Sequence, residues 1–182
     1  MKTDSTTGVF LILVAVLGLA ACGGGGGGGG GTTATAAAAF PRFAYVANSD
    51  DDTVSIYRVD PATGQLHHRG YVVAGDTPLS VTVDPSGRFA YVANLNSDNV
   101  TTFSIDPTTG ALTALGTAVA AGDAPESVTV DPSGRFAYVA NINSDNVTTF
   151  SINPTSGALA ELGTAVLAGD GPTSIVILGV FQ

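Results

Sequence analysis

Few side chains in this 182-residue chain could carry out chemistry. A hydrolytic site needs a base, a nucleophile or activated water, and donors that meet developing charge. The only histidines, His67 and His68, are adjacent and fall in an extended stretch, with no Ser-His-Asp grouping around them. The only cysteine, Cys22, rules out an internal disulfide, and no His/Cys/Asp spacing resembles zinc ligands. The glycine run Gly23–Gly31 is not followed by Gly-Lys-Ser/Thr, so it is not a phosphate loop. What remains is acid. Formal net charge is -9, and no lysine occurs after Lys2. That balance excludes nucleic acid, whose phosphates call for Lys and Arg. The acids that stand out are Asp50, Asp51, Asp52, Asp76, Asp98, Asp123, Glu126, Asp145 and Asp170.

The elements that position these acids come from a repeat. Phe-Ala-Tyr-Val-Ala-Asn occurs at Phe43–Asn48, Phe89–Asn94 and Phe136–Asn141, at spacings of 46 and 47 residues. Over Val81–Asp123 and Val128–Asp170 only six of 43 aligned positions differ. Each full unit predicts four short strands: Ser80–Asp84, Phe89–Asn94, Val100–Ile105 and Ala111–Val119. They are rich in Val, Thr, Phe and Tyr, which favour pleated structure. Their breaks contain turn formers, as in Asp84-Pro85-Ser86-Gly87, where Pro fixes φ and Gly takes a positive one. The order is an up-and-down antiparallel meander. At this period it matches a propeller blade, which must stack on neighbours to cover its faces.

In such a blade the second-to-third and fourth-to-first connections share one rim. That rim holds the nine acids above, while the acids and arginines elsewhere cancel. Calcium is the metal candidate there, being a hard ion that takes carboxylate and carbonyl oxygen. A cationic ligand or a basic protein partner is the other possibility. The structural alternative is that Asp and Asn simply form good turns, with no cofactor at all.

The N-terminal segment carries an address. Val9–Ala21 is apolar but shorter than the roughly 20 residues a spanning helix needs. It ends in Leu19-Ala20-Ala21-Cys22, which resembles a bacterial lipobox. The resemblance implies a signal peptide over 1–21 and a lipidated Cys22. A Gly/Thr/Ala-rich tether over 22–39 then follows, flexible because glycine restricts the backbone little. The expected location is the bacterial cell envelope, lipid-anchored on the periplasmic or outer-membrane side. The membrane is then a partner through the anchor.

From Phe40 onward the blades resemble the YVTN/lactonase-like β-propeller family, which includes 6-phosphogluconolactonase-like proteins. The resemblance rests on Pro125-Glu126-Ser127-Val128-Thr129-Val130-Asp131-Pro132-Ser133-Gly134-Arg135 running into the repeated hexapeptide, and on Asn99-Val100-Thr101-Thr102-Phe103-Ser104-Ile105. It implies an all-β fold of four-stranded antiparallel blades over 40–182 and, for an enzyme, acidic and basic side chains in a central funnel. Only Glu126 stands where a funnel acid is expected, so no catalytic residue is carried over. A binding or scaffold module is the expected function. The alternatives are a sugar-lactone hydrolase and a truncated relative without activity.

About three blades are present, and family members commonly have seven. Pro172–Leu178 aligns with a first strand and is expected to complete the first blade, which begins at its second strand. The ring is otherwise incomplete or completed by homo-oligomerisation.

Overall fold

A computed structural model describes residues 42–179; the signal segment, Cys22 and the tether lie outside the described residues. Three antiparallel sheets follow one another along the chain. The first contains β1 (Arg42–Asn48), β2 (Thr53–Val59) and β3 (Leu66–Val73). The second contains β4 (Pro78–Val83), β5 (Phe89–Asn94), β6 (Asn99–Ile105), β7 (Leu112–Ala114) and β8 (Val119–Ala120). The third repeats it with β9 (Pro125–Val130), β10 (Phe136–Asn141), β11 (Asn146–Ile152), β12 (Leu159–Glu161) and β13 (Val166–Leu167). The expected meander is therefore present, as partial propeller blades with no closed ring.

Two expectations need correction. The outer strand, expected as one run from Ala111 to Val119, is two pieces. Both β7 and β8 pair with β6, and the chain leaves the sheet between them. Gly116 lies there at φ +65°, a left-handed conformation that turns the backbone out of the ladder. The second correction concerns Pro172–Leu178. This stretch forms no ladder with β1. It runs beside β9, where the Ile175 amide donates to Ser127 Oγ at 3.4 Å, just as the Val128 amide donates to Ser80 Oγ at 3.1 Å. The stretch thus lies beside β9 in the position that β9 takes beside β4, without a ladder of its own. Geometry explains why it cannot return: in a ring of about six or seven blades each turns by roughly 50–60°, so three leave the two ends far apart.

Alternation along the strand gives each blade two apolar faces. Phe89, Tyr91 and Ala93 pack forward against Val128, Ala137, Val139 and Phe150 of the third blade. Ala90, Val92 and Phe103 pack backward against Val54 and Ile56 of the first. The middle blade is covered on both sides, and all six residues of β5 are buried. The equivalent β1 and β10 are only partly so. Each fully buried side chain of this size contributes about 2 kcal/mol of hydrophobic stabilisation.

Polar contacts fix the spacing between blades. The last residue of the hexapeptide, Asn94, is fully buried. Its Nδ2 donates to Asn99 Oδ1 at 2.8 Å and to Thr101 Oγ1 at 2.9 Å, joining β5 to β6. Its Oδ1 accepts from the Gly75 amide, in the loop arriving from the previous blade, at 3.1 Å. Asn141 repeats this with Asn146, Thr148 and the Gly122 amide. A Cβ at Gly75 or Gly122 would lie 2.6 Å from the Asn side chain, so only glycine fits. In front, Tyr45 and Tyr91 donate to the carbonyls of Gly110 and Gly157 in the next blade, at 2.9 and 3.0 Å.

Asn94→Ala leaves the Gly75 amide and the β6 acceptors without their partner, and is expected to cost about 3 kcal/mol in urea denaturation. Gly122→Ala drives a methyl into Asn141 and is expected to cost about 2 kcal/mol by overpacking. A change below about 0.5 kcal/mol in either variant would contradict the clasp.

Candidate functional site

The rim where strands β4 and β9 begin, and where β5 and β10 end, gathers the acidic residues. Their local conformations explain many of them. Asp52, Asp98 and Asp145 occupy the last position of the turns before β2, β6 and β11, at φ +56°, +53° and +51°. Asp tolerates this left-handed region better than most residues. Each carboxylate also reaches the loop that leads to the next blade. Asp52 Oδ1 accepts from the Thr77 amide at 2.8 Å, Asp98 Oδ1 from the Ala124 amide at 2.8 Å, and Asp145 Oδ1 from the Gly171 amide at 2.7 Å. The donating residues Thr77 and Ala124 themselves have positive φ, so the staple holds a strained loop in place.

The other rim acids make lighter contacts. Asp76 accepts from the Thr77 hydroxyl at 3.0 Å, and Asp123 from Asn143 Nδ2 at 3.3 Å. Asp50 accepts from the Ser49 hydroxyl at 3.3 Å. Asp51 and Asp170 are exposed. Among the described residues, no three His, Cys, Asp or Glu side chains converge where they could hold one metal ion. Among the described residues the rim is thus a distributed negative surface with three structural staples.

Glu126 differs from these turn acids. It is the second residue of β9, the innermost strand of its blade, and β9 packs against β4, the corresponding strand of the middle blade. Leu79 and Thr173 occupy its place in the neighbouring units. Glu126 is partly buried, and desolvation raises its carboxyl above the ordinary value. A carboxyl shifted in that direction, on the axial side of the blades, can take and return a proton closer to neutral pH than a free one.

The histidines are remote from it. His67 and His68 lie on β3, the outermost strand of the first sheet, and both are exposed. His68 packs between the rings of Tyr57 and Tyr71, at centroid distances of 5.4 and 4.4 Å. A recess lined by Arg58, Asp60, Pro61, His67 and Arg69 opens at this edge. Sequence reasoning missed it. The signal was a departure from the repeat, since Ser104 and Ser151 stand at the position of Arg58, and Thr113 and Ala160 at that of His67. Asp60, at the recess, is held below the usual carboxylate range by the amides of Thr63 and Ala62.

Two arginines lie on the opposite rim, each following a β-turn. Arg88 lies over the Phe89 ring at 5.1 Å and donates to the Pro154 carbonyl of the next blade. Arg135 lies over Phe136 at 5.2 Å.

Known proteins share this architecture. A family model described as "Lactonase, 7-bladed beta-propeller" matches residues 29–124 and 114–177. Among solved structures, the chain is similar to a putative 6-phosphogluconolactonase from Bacteroides fragilis. The two are 26% identical, with a TM-score of 0.67 over 74% of this chain and 40% of that one. It is also similar to the periplasmic gluconolactonase of Pseudomonas aeruginosa, at 26% identity and a TM-score of 0.61 over 72% of this chain and 40% of that one. A putative 6-phosphogluconolactonase from Bacteroides uniformis, 19% identical, shares the fold with a TM-score of 0.65 over 72% of this chain and 41% of that one. Comparison with the curated proteins returned no match. The chain therefore spans about two fifths of the length of these structural relatives. With its blade repeat, its inter-blade contacts and a family model matching most of its length, the chain belongs to the seven-bladed β-propeller lactonase family.

Proposed function

We propose that the protein hydrolyses a sugar lactone at the axial face of its blades, with Glu126 as the proton-transfer group. The observation that carries this reading is the partly buried Glu126, with its raised pKa, on the innermost strand of a lactonase-family blade. The lactonases named among the structural relatives make a cyclic ester the natural substrate class. In the reaction, the Glu126 carboxylate removes a proton from water as the water oxygen attacks the lactone carbonyl carbon. The tetrahedral adduct then breaks its ring C–O bond, and the proton passes to the departing ring oxygen. The product is the open hydroxy acid, with atoms and charge balanced.

A second reading is a binding module for a cation or a basic protein. Asp50, Asp51, Asp76, Asp123 and Asp170 favour it, because all five are exposed on the rim. Both readings place the blades at the cell envelope, held by a lipid on Cys22.

Purified full chain is expected to open a gluconolactone-type substrate faster than buffer, and Glu126→Gln to lower that rate by about a hundredfold or more. The rate should rise with pH as the carboxyl ionises, with a midpoint above the ordinary Glu value because desolvation raises it. An unchanged rate in the variant would exclude this role for Glu126. Since the staples of the rim engage backbone amides, millimolar calcium is expected to leave the melting temperature unchanged. In cells, Cys22→Ala is expected to abolish incorporation of labelled palmitate, and persistent labelling would contradict the anchor.

A further inference from the structure

The two ends of the described blades are complementary copies of an interface that the chain already makes twice. At the forward end, Phe136 and Tyr138 are partly buried, whereas their equivalents Phe89 and Tyr91 are buried against Gly157 of the next blade. At the backward end, Gly64 stands where Gly110 and Gly157 stand. A Cβ at Gly110 or Gly157 would strike Phe43 or Phe89, but one at Gly64 would meet nothing within 4 Å. The glycine clasp shows the same asymmetry. Gly75 and Gly122 press on Asn94 and Asn141, whereas Gly169 has nothing within 4 Å. Asn48 donates through Nδ2 to Thr53 and Ser55 as its equivalents do, yet no amide of a preceding loop meets its Oδ1 among the described residues. Finally, among the described residues β1 is the edge of a three-stranded sheet with no inner strand beside it, while Pro172–Leu178 has an inner-strand sequence and pairs with no sheet. In that stretch Val176 and Leu178 are 86% and 89% exposed.

We propose that a second copy of this chain supplies the missing half of this interface, with Pro172–Ile177 of one copy adding to β1 of the other as its inner strand. The register follows from the middle blade, where Ser80, Val81, Thr82 and Val83 face Ala93, Val92, Tyr91 and Ala90. Carried across, Ser174, Ile175, Val176 and Ile177 face Ala47, Val46, Tyr45 and Ala44 of the second copy. The Gly169 amide then meets Asn48 Oδ1. Tyr138 reaches the Gly64 carbonyl, with Phe136 over that glycine. The donated strand is already held in place by the Ile175 amide on Ser127. Main-chain pairing of this kind supplies affinity, and the alternating side chains supply register. The described residues of each copy add three blades, so those of two copies make six, inside the common range of about four to eight. The assembly is a closed dimer. It rests on the repeat contacts and not on lactone chemistry.

Light scattering of the full chain is expected to give a dimer at micromolar concentration; a monomer throughout that range would overturn the proposal. Gly169→Ala separates the interface from the fold. In a lone copy the added methyl meets open space, but against Asn48 of a second copy it collides. The variant is expected to keep its circular dichroism and raise the dimer dissociation constant roughly tenfold or more. An unchanged dissociation constant would overturn it. In a Cys22→Ser background, mixing Ser174→Cys with Ala47→Cys copies is expected to yield a disulfide-linked pair. A dimer that does not cross-link would reject strand donation.

Discussion

The stacking of the second and third blades depends on one buried amide side chain in each. Asn94 and Asn141 close the polar end of an otherwise apolar strand, and each bonds in three directions. Two of those bonds lock neighbouring strands of one sheet, and the third grips the loop that arrives from the sheet before it. A buried amide with all its groups paired specifies geometry, because any displacement leaves a polar group unpaired in a low-dielectric interior. That is why the loop residue must be glycine, and why the blades stack at one angle rather than slide. Among the described residues no buried polar side-chain atom is left unpaired, so the network is complete wherever a neighbouring blade exists.

The same constraint sorts the rim acids by role. Asp52, Asp98 and Asp145 stand beside the clasp and hold the loop at a second point. Their charge is a consequence of what a left-handed turn and an orphan amide require. Glu126 has no such contact and lies on the inner strand, which makes it the acid most available for chemistry.

Much of the fold was legible from residue order. The second strand, Phe89–Asn94, agrees residue for residue, because Phe-Ala-Tyr-Val-Ala-Asn is bounded by a Pro-Ser-Gly turn and by an Asp-Asn turn. The split outer strand was not legible. Leu115-Gly116 looks like a tolerable glycine in an apolar run, and only the positive φ of Gly116 reveals the exit from the sheet. The destination of Pro172–Leu178 was misjudged for a different reason. Its pattern matches that of an inner strand, but pattern carries no angle between blades, and that angle decides which edge it can reach. The acids were found by type, and Glu126 among them lies on β9 rather than in a loop. The three staples were hidden because their partners are backbone amides about 25 residues away, which no side-chain pattern records.

Amide hydrogen exchange at the glycines of the clasp addresses this account most directly. Gly75 and Gly122 lie in loops, where amides ordinarily exchange fast, yet here each donates to a buried side chain. The account predicts that both are protected as strongly as the amides of β5 and β10, and that protection disappears only on global unfolding. Exchange of Gly75 and Gly122 at the rate of an exposed loop amide would contradict it.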